Sequence, residues 1–416
     1  MTTTTQSNRA NFTLILCILM NLSIGALYAW SVIKRKLINP VADGGWEWTS
    51  SQAGLPFTLA IICFALGNLI GGRTQDKIGP RWVITCGGTL AGLGLILSGL
   101  VGNNPVGIAI CFGIIGGLGM GTVYGCSVAP ALKWFHPSKK GMVAGLIVGG
   151  FGMAAVYLAP LANTLLGSFG IETTLMILGS TVILISVPVA QFIKNPSADY
   201  VPPTPKNLKE TAAKSAPAVN FTVSEMMKTK RFYMLFFMFL FSSSAGLMII
   251  GNMSKIASLQ VGITDTTLLA GLVAFLAFTN TFGRVFGGMM SDKIGTINSL
   301  FVVLVLQMLN MVGFMFYANL FTLSIGIIAI GFSFGTILSV FPAITAGQFG
   351  LKNYGANYGI VLLAWGFSGA VAPIMADYFY DLHKNFNMAY LVCAITMVVL
   401  IGVNFMYKRN VETLKH

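Results

Sequence analysis

Long apolar runs recur along the chain between short polar stretches, and twelve of them reach membrane-spanning length. In the first half they lie near 12–33, 53–71, 82–101, 106–130, 142–166 and 173–193. In the second half they lie near 232–253, 267–290, 297–317, 320–342, 356–376 and 387–407. About 20 apolar residues rising about 1.5 Å each cross a hydrocarbon core of about 30 Å, so the pattern predicts an all-α membrane protein with twelve transmembrane helices. The polar start, Met1 to Asn11, lacks the form of a signal peptide, so the first span is expected to be retained. A Pro-, Lys- and Ala-rich stretch, 196–222, reads as a linker between an N-terminal bundle, 1–195, and a C-terminal bundle, 223–416, of six helices each.

Composition agrees with that pattern. Of the residues, 55% are hydrophobic and 9% charged, whereas a soluble domain carries about 25% charged residues. The net charge of +13 would suit a nucleic-acid binder, but its distribution argues otherwise. Twelve spans put both termini and the linker on one side, and that side holds 19 of the 25 Lys and Arg residues. The other side holds 5: Lys34, Arg35, Lys36, Lys255 and Lys384. This bias places both termini in the cytoplasm, so the lipid bilayer is the expected partner and nucleic acid is not.

The remaining chemistry is sparse. The six cysteines show no CxxC spacing, the three histidines fall in loops or at the end of the chain, and no nucleophile–base pair is evident. No enzyme, cofactor or metal site is expected. Residues 150–155 formally fit GxGxxA, but no strand precedes them, so a dinucleotide site is not expected.

Against this background Arg284 stands out. It lies within an apolar stretch, Thr267 to Met290, that contains no Asp, Glu or Lys. Such a charge costs about 2.5–3.5 kcal/mol at mid-helix on insertion scales, and arginine cannot escape by losing its proton. An anion is expected to visit it. Two readings stay open: two parallel hydrogen bonds to one carboxylate, or bonds to helix-end carbonyls of a neighbouring span. Asn280 lies one turn earlier on the same face, where it could orient the guanidinium, donate to a substrate oxygen or join two helices.

The chain also repeats itself. Gly72, Asp76, Lys77, Gly79 and Arg81 follow the second span in the order GxxxDKxGxR; Gly288, Asp292, Lys293 and Gly295 follow the eighth at a constant offset of 216. Duplicated halves explain that offset. The glycines permit a tight turn and close approach, and Asp76 suits a neighbouring helix N-terminus. Lys77 and Arg81 are expected to hold the turn. The chain resembles the major facilitator superfamily in this motif and its degenerate second copy. Further features are Gly25 to Ser31, Gly121 to Gly125, Lys133 to Gly141, Phe341-Pro342 and Asn353 to Gly355. Across nearly the full length these resemble the oxalate/formate antiporter family, relatives of the animal monocarboxylate transporters.

The resemblance implies a major facilitator fold, two pseudo-symmetric six-helix bundles, and transport of small organic anions by alternating access. It implies a prokaryotic inner membrane and a monomer. Arg284 occupies the position of that family's substrate-binding arginine, about 12 Å along the helix from Asp292. Tyr28 and Tyr124 match tyrosines lining the family's cavity, although Trp30 and other aromatics at span ends also serve as interface anchors. Phe334 and Leu338 match cavity positions that are aromatic in the oxalate exchanger. That exchanger's second cation, a lysine in span 11, corresponds to Trp365 here. One cation suits one carboxylate, since a dianion would leave a desolvated charge unpaired. Lactate-, pyruvate- or formate-like substrates are therefore expected, with an oxalate:formate-type dicarboxylate antiporter as the alternative and a passive anion channel as a reading of another class. The Asp and Lys that animal relatives carry correspond to Asn280 and Val32, so proton symport and anion exchange both stay open. Glycines at 113, 117, 121 and 125, and at 145 and 149, predict close helix contacts.

Overall fold

The computed structural model describes residues 3–197, 199–203 and 220–412. It is built from α1 (Thr3–Ser23), α2 (Ala26–Ile38), α3 (Ser50–Ile78), α4 (Pro80–Val101), the short α5 (Pro105–Ile108), a π-helical stretch (Ala109–Gly116), α6 (Gly117–Trp134) and α7 (Lys140–Ala190). The short α8 (Val223–Met227) precedes α9 (Lys230–Val261), α10 (Thr266–Ile294), α11 (Thr296–Phe314), α12 (Leu320–Phe349), α13 (Tyr354–His383) and α14 (Asn387–Glu412). Of the expected linker, residues 198 and 204–219 lie outside the described residues.

Local chemistry sets the helix ends. Thr49 and Gln52 form a reciprocal capping box at the start of α3. Asp265 accepts from the backbone N–H of Thr267 at 2.8 Å at the start of α10. Gly79 (φ 86°) and Gly295 (φ 87°) turn the chain from α3 into α4 and from α10 into α11, in a region of backbone space that favours glycine.

Among the described residues, ten helices are long and apolar enough to cross a membrane. The expected twelve crossings are recovered in two places. The first span is broken at Ile24 and Gly25, so that α1 and α2 are separate helices. The 51-residue α7 would run about 77 Å if straight, too long for one crossing. Gly170 (φ 76°) interrupts it, so the fifth and sixth spans form one kinked element.

The residues group into two compact units. Unit 1 comprises 1–135, 150–202 and 353–359; unit 2 comprises 136–149, 203–352 and 360–416. In unit 1, α3 packs closely on the π-helical stretch and α6. A side-chain carbon at Gly113 would lie 2.9 Å from the Pro56 carbonyl and one at Gly117 2.8 Å from that of Ala60; at Gly121 it would collide with the Phe64 carbonyl. In unit 2, α10 and α12 are matched in the same way, Gly283 and Gly335 each meeting the other helix's backbone. The glycine spacing read from the sequence is thus a helix-packing face.

Helix α10 shows how this arrangement suits lipid. Phe278, Phe282 and Phe286 are 45–53% exposed along one face, and Phe282 stacks on Phe286 at 4.0 Å. Asn280 and Arg284 are buried on another. The apolar face is outward and the polar one inward, the reverse of a water-soluble helix.

Candidate functional site

Arg284 is the most buried cation of α10, 1% exposed. Its Nε donates to Asn280 Oδ1 at 3.0 Å, and its Nη1 donates to the Val148 backbone carbonyl of α7 at 2.6 Å. The geometry follows from sequence spacing. Residues 280 and 284 are one turn apart, so the amide oxygen sits below the guanidinium. Gly145 lets α7 approach, because a side-chain carbon there would collide with the Arg284 carbonyl. Gly335 of α12 meets the Asn280 carbonyl in the same fashion, and its side-chain carbon would lie 2.7 Å from Arg284 N. These two bonds are to neutral groups, an amide oxygen and a backbone carbonyl, and they hold the fork in place. One of the open readings, a bond to a carbonyl of a neighbouring span, is therefore present, although that carbonyl lies within α7 rather than at its end.

The other residues singled out from the sequence divide between the units. In unit 2, Phe334 is 2% exposed and its ring lies against Gly246 of α9; Leu338 and Trp365 are 3% and 8% exposed. In unit 1, Tyr124 is buried with its ring 5.2 Å from Phe64 and 5.3 Å from Phe151, which are themselves 5.5 Å apart. Tyr28 lies in α2, and its side chain is outside the described residues. Trp30 is 1% exposed, donates to the Ala53 carbonyl at 2.9 Å and stacks on Phe112 at 4.3 Å. It is a packing residue of unit 1 rather than an interface anchor.

The motif turns are the best-defined polar features. Asp76 accepts from the backbone N–H groups of Gly355 (3.3 Å) and Ala356 (2.9 Å), in the first turn of α13. Asp292 accepts from Gly141 (2.8 Å) and Met142 (2.7 Å), in the first turn of α7. Each carboxylate thus satisfies helix-start N–H groups that have no partner within their own helix and meets the positive end of the dipole. Gly72 and Gly288 make room for this, since side-chain carbons there would collide with the carbonyls of Gly355 and Gly141. Lys77 and Arg81 behave differently from expectation. Lys77 and Lys293 are exposed and make no side-chain hydrogen bond among the described residues. Arg81 donates through Nε to Gln191 at 2.6 Å, at the end of α7, and does not bond the turn itself. Exposed ammonium groups gain little by giving up water, which explains why they are not recruited. Nearby, His136 precedes α7; burial and the charges of Lys139 and Lys140 lower its pKa from the ordinary value.

Sequence reasoning missed Val148, Phe64, Phe151 and a buried pair in unit 1, Asn21 Nδ2 donating to Ser127 Oγ at 2.6 Å. The backbone carbonyl leaves no signal in a sequence. The 150–155 glycines did carry one: Gly150 packs on Ile18 of α1, where a side-chain carbon would lie 2.9 Å from its carbonyl, and Phe151 enters the aromatic cluster.

Comparison with known proteins supplies the family context. The family described as Major Facilitator Superfamily matches residues 10–339. The chain is 27% identical over 402 residues to the oxalate:formate antiporter of Oxalobacter formigenes, covering 94% of this chain and 90% of that protein. It is 22% identical to human monocarboxylate transporter 12, over 85% of this chain and 72% of that one. Among solved structures, the Escherichia coli fucose:proton symporter FucP aligns with a TM-score of 0.70 at 14% identity, covering 95% of this chain and 98% of that one. That likeness concerns the fold.

Proposed function

Since the chain belongs to the Major Facilitator Superfamily, whose members are transporters and not enzymes, we propose that it carries small monocarboxylates of the lactate, pyruvate or formate kind by alternating access. The observation that carries this reading is Arg284, buried to 1% exposure and held by Asn280 and the Val148 carbonyl. A guanidinium oriented in this way presents a planar donor pair to a carboxylate, at a site where a charge-assisted bond is not diluted by bulk water. Asn280 fixes the fork, and the substrate's carboxylate competes with Val148 for Nη1. Phe334, Leu338 and Trp365 would favour a short apolar tail. The likeness to an oxalate:formate antiporter and a monocarboxylate transporter supports an organic anion as cargo. The inner membrane, with both termini cytoplasmic, is the proposed location.

A second reading has its own observation. The 2.6 Å bond to Val148 ties α10 to α7, so Arg284 could serve the scaffold alone. Uptake of labelled L-lactate and oxalate into proteoliposomes, under an imposed pH gradient or with unlabelled anion preloaded, tests the proposal. Lactate accumulation driven by the gradient identifies proton symport, and uptake that needs a preloaded anion identifies exchange. Strong oxalate transport with no monocarboxylate transport contradicts the substrate assignment.

A further inference from the structure

Unit 1 contains a cavity of about 560 Å³. This volume is within the range of small-ligand sites, about 300–1,000 Å³. Three cations line it: Arg9 near the start of the first span, Arg81 at the start of α4, and Lys194 just beyond α7. Among the described residues no carboxylate lines it, and the one ion pair, Lys255 with Asp377, lies in unit 2. Three like charges around one concavity raise the local anion concentration.

The wall is built rather than incidental. Trp134 Nε1 donates to the Lys194 carbonyl at 2.8 Å, and the Tyr200 hydroxyl donates to the Trp134 carbonyl at 3.0 Å. The two rings lie 4.8 Å apart, holding the segment after α7 against the end of α6. Gln191, fixed by bonds to Thr85 and Val187, takes Arg81 Nε; no other hydrogen bond of the Arg81 guanidinium to the described residues is present. The Arg9 and Lys194 side chains are exposed and make no hydrogen bond to the described residues. The buried Oδ1 of Asn195, also in the lining, lacks a donor among the described residues. Phe12 and Phe192, 48% and 61% exposed, line the same cavity and meet edge to face at 6.4 Å.

We infer that this cavity binds a hydroxyl-bearing phosphate ester, with Arg81 and Lys194 on the phosphate, Arg9 adding charge, and Asn195 accepting from a hydroxyl of the ligand. Arginine's planar fork matches phosphate geometry, and the exposed phenylalanines provide an apolar border suited to acyl chains. The headgroup of an acidic phospholipid and a soluble glycerol phosphate share this chemistry.

Native mass spectrometry of the purified full chain separates these sources. Phosphatidylglycerol, phosphatidylcholine and glycerol 3-phosphate are titrated in turn into wild type, an Arg9→Gln/Lys194→Gln double variant and a Lys352→Gln control. Lys352 is exposed and lies outside the cavity. Each cation near an anionic headgroup strengthens binding by about fivefold, so the double variant should lose about twenty-five-fold in affinity for phosphatidylglycerol while the control keeps it. Wild type should also prefer phosphatidylglycerol to phosphatidylcholine. If glycerol 3-phosphate binds wild type as tightly as the lipid and the double variant loses both, the site holds a soluble phosphate ester. Equal phosphatidylglycerol binding by wild type and double variant, with no response to glycerol 3-phosphate, overturns the inference. The replaced side chains are exposed, and a thermal melt matching wild type confirms that the variant is folded.

Discussion

At the end of α3, Asp76 caps the first turn of α13, and at the end of α10, Asp292 caps the first turn of α7. Each cap has a glycine contact beside it, Gly72 on Gly355 and Gly288 on Gly141, and each turn closes on a glycine with φ near 86°. The 216-residue offset that relates these two constructions also pairs Arg284 with Asn68 and Asn280 with Phe64. Asn68 is 1% exposed and sits beside Gly125, and its amide has no hydrogen-bond partner among the described residues. Duplication has therefore kept the turn in both copies and placed the buried charge in one. The contrast separates scaffold from chemistry: the features shared by both copies cap and pack helices, and the feature present in one copy is the candidate for cargo binding.

That division can be broken experimentally. The largest structural effect is expected from Gly72→Val and Gly288→Val, which force a branched side chain onto a backbone carbonyl. Overpacking of this kind costs about 3 kcal/mol, so both variants should melt well below wild type, and by similar amounts, in detergent thermal unfolding. A loss confined to one copy would show that the turns are not equivalent. Asp76→Ala and Asp292→Ala come next. Each removes two bonds to helix-start N–H groups, worth about 2 kcal/mol by analogy with strong N-caps, and again the two should match. Smallest are Gly79→Ala and Gly295→Ala. Nothing lies within 4 Å of the added carbon at either site, so the cost, about 1 kcal/mol, is that of holding a non-glycine residue at positive φ. A larger loss at only one of the two would point to a contact formed in another conformation of the carrier.

How much of this could be read from the chain depended on whether the cause was local. The spans follow from apolar runs, and the capping role of Asp76 follows from an acid beside glycine-rich turns at a helix end. The pairing of Asn280 with Arg284 follows from their spacing along one helix. The break at Ile24 and Gly25 was hidden because the run stays apolar across it; Gly25 is needed where a side-chain carbon would strike Ala154, 129 positions further along. The fifth and sixth spans, by contrast, were legible, because Gly170 (φ 76°) breaks the helical backbone between the two apolar runs. The partners of Tyr124, and the Val148 carbonyl that takes Arg284, are long-range contacts with no sequence signature. Arg81 was misjudged because positive charge beside a turn suggests a local role, whereas its bond runs to Gln191, 110 residues away.

The most direct test of the central claim compares the two pseudo-equivalent positions for function. Labelled L-lactate counterflow is measured in proteoliposomes containing wild type, Arg284→Ala or Asn68→Ala, each checked for folding by thermal melt. Removing one partner of a buried charge-assisted pair costs about 3–5 kcal/mol, so Arg284→Ala should reduce lactate counterflow by at least about a hundredfold, with Asn68→Ala within about tenfold of wild type. Counterflow by folded Arg284→Ala equal to wild type would contradict the claim, and would leave the arginine as a tie between α10 and α7.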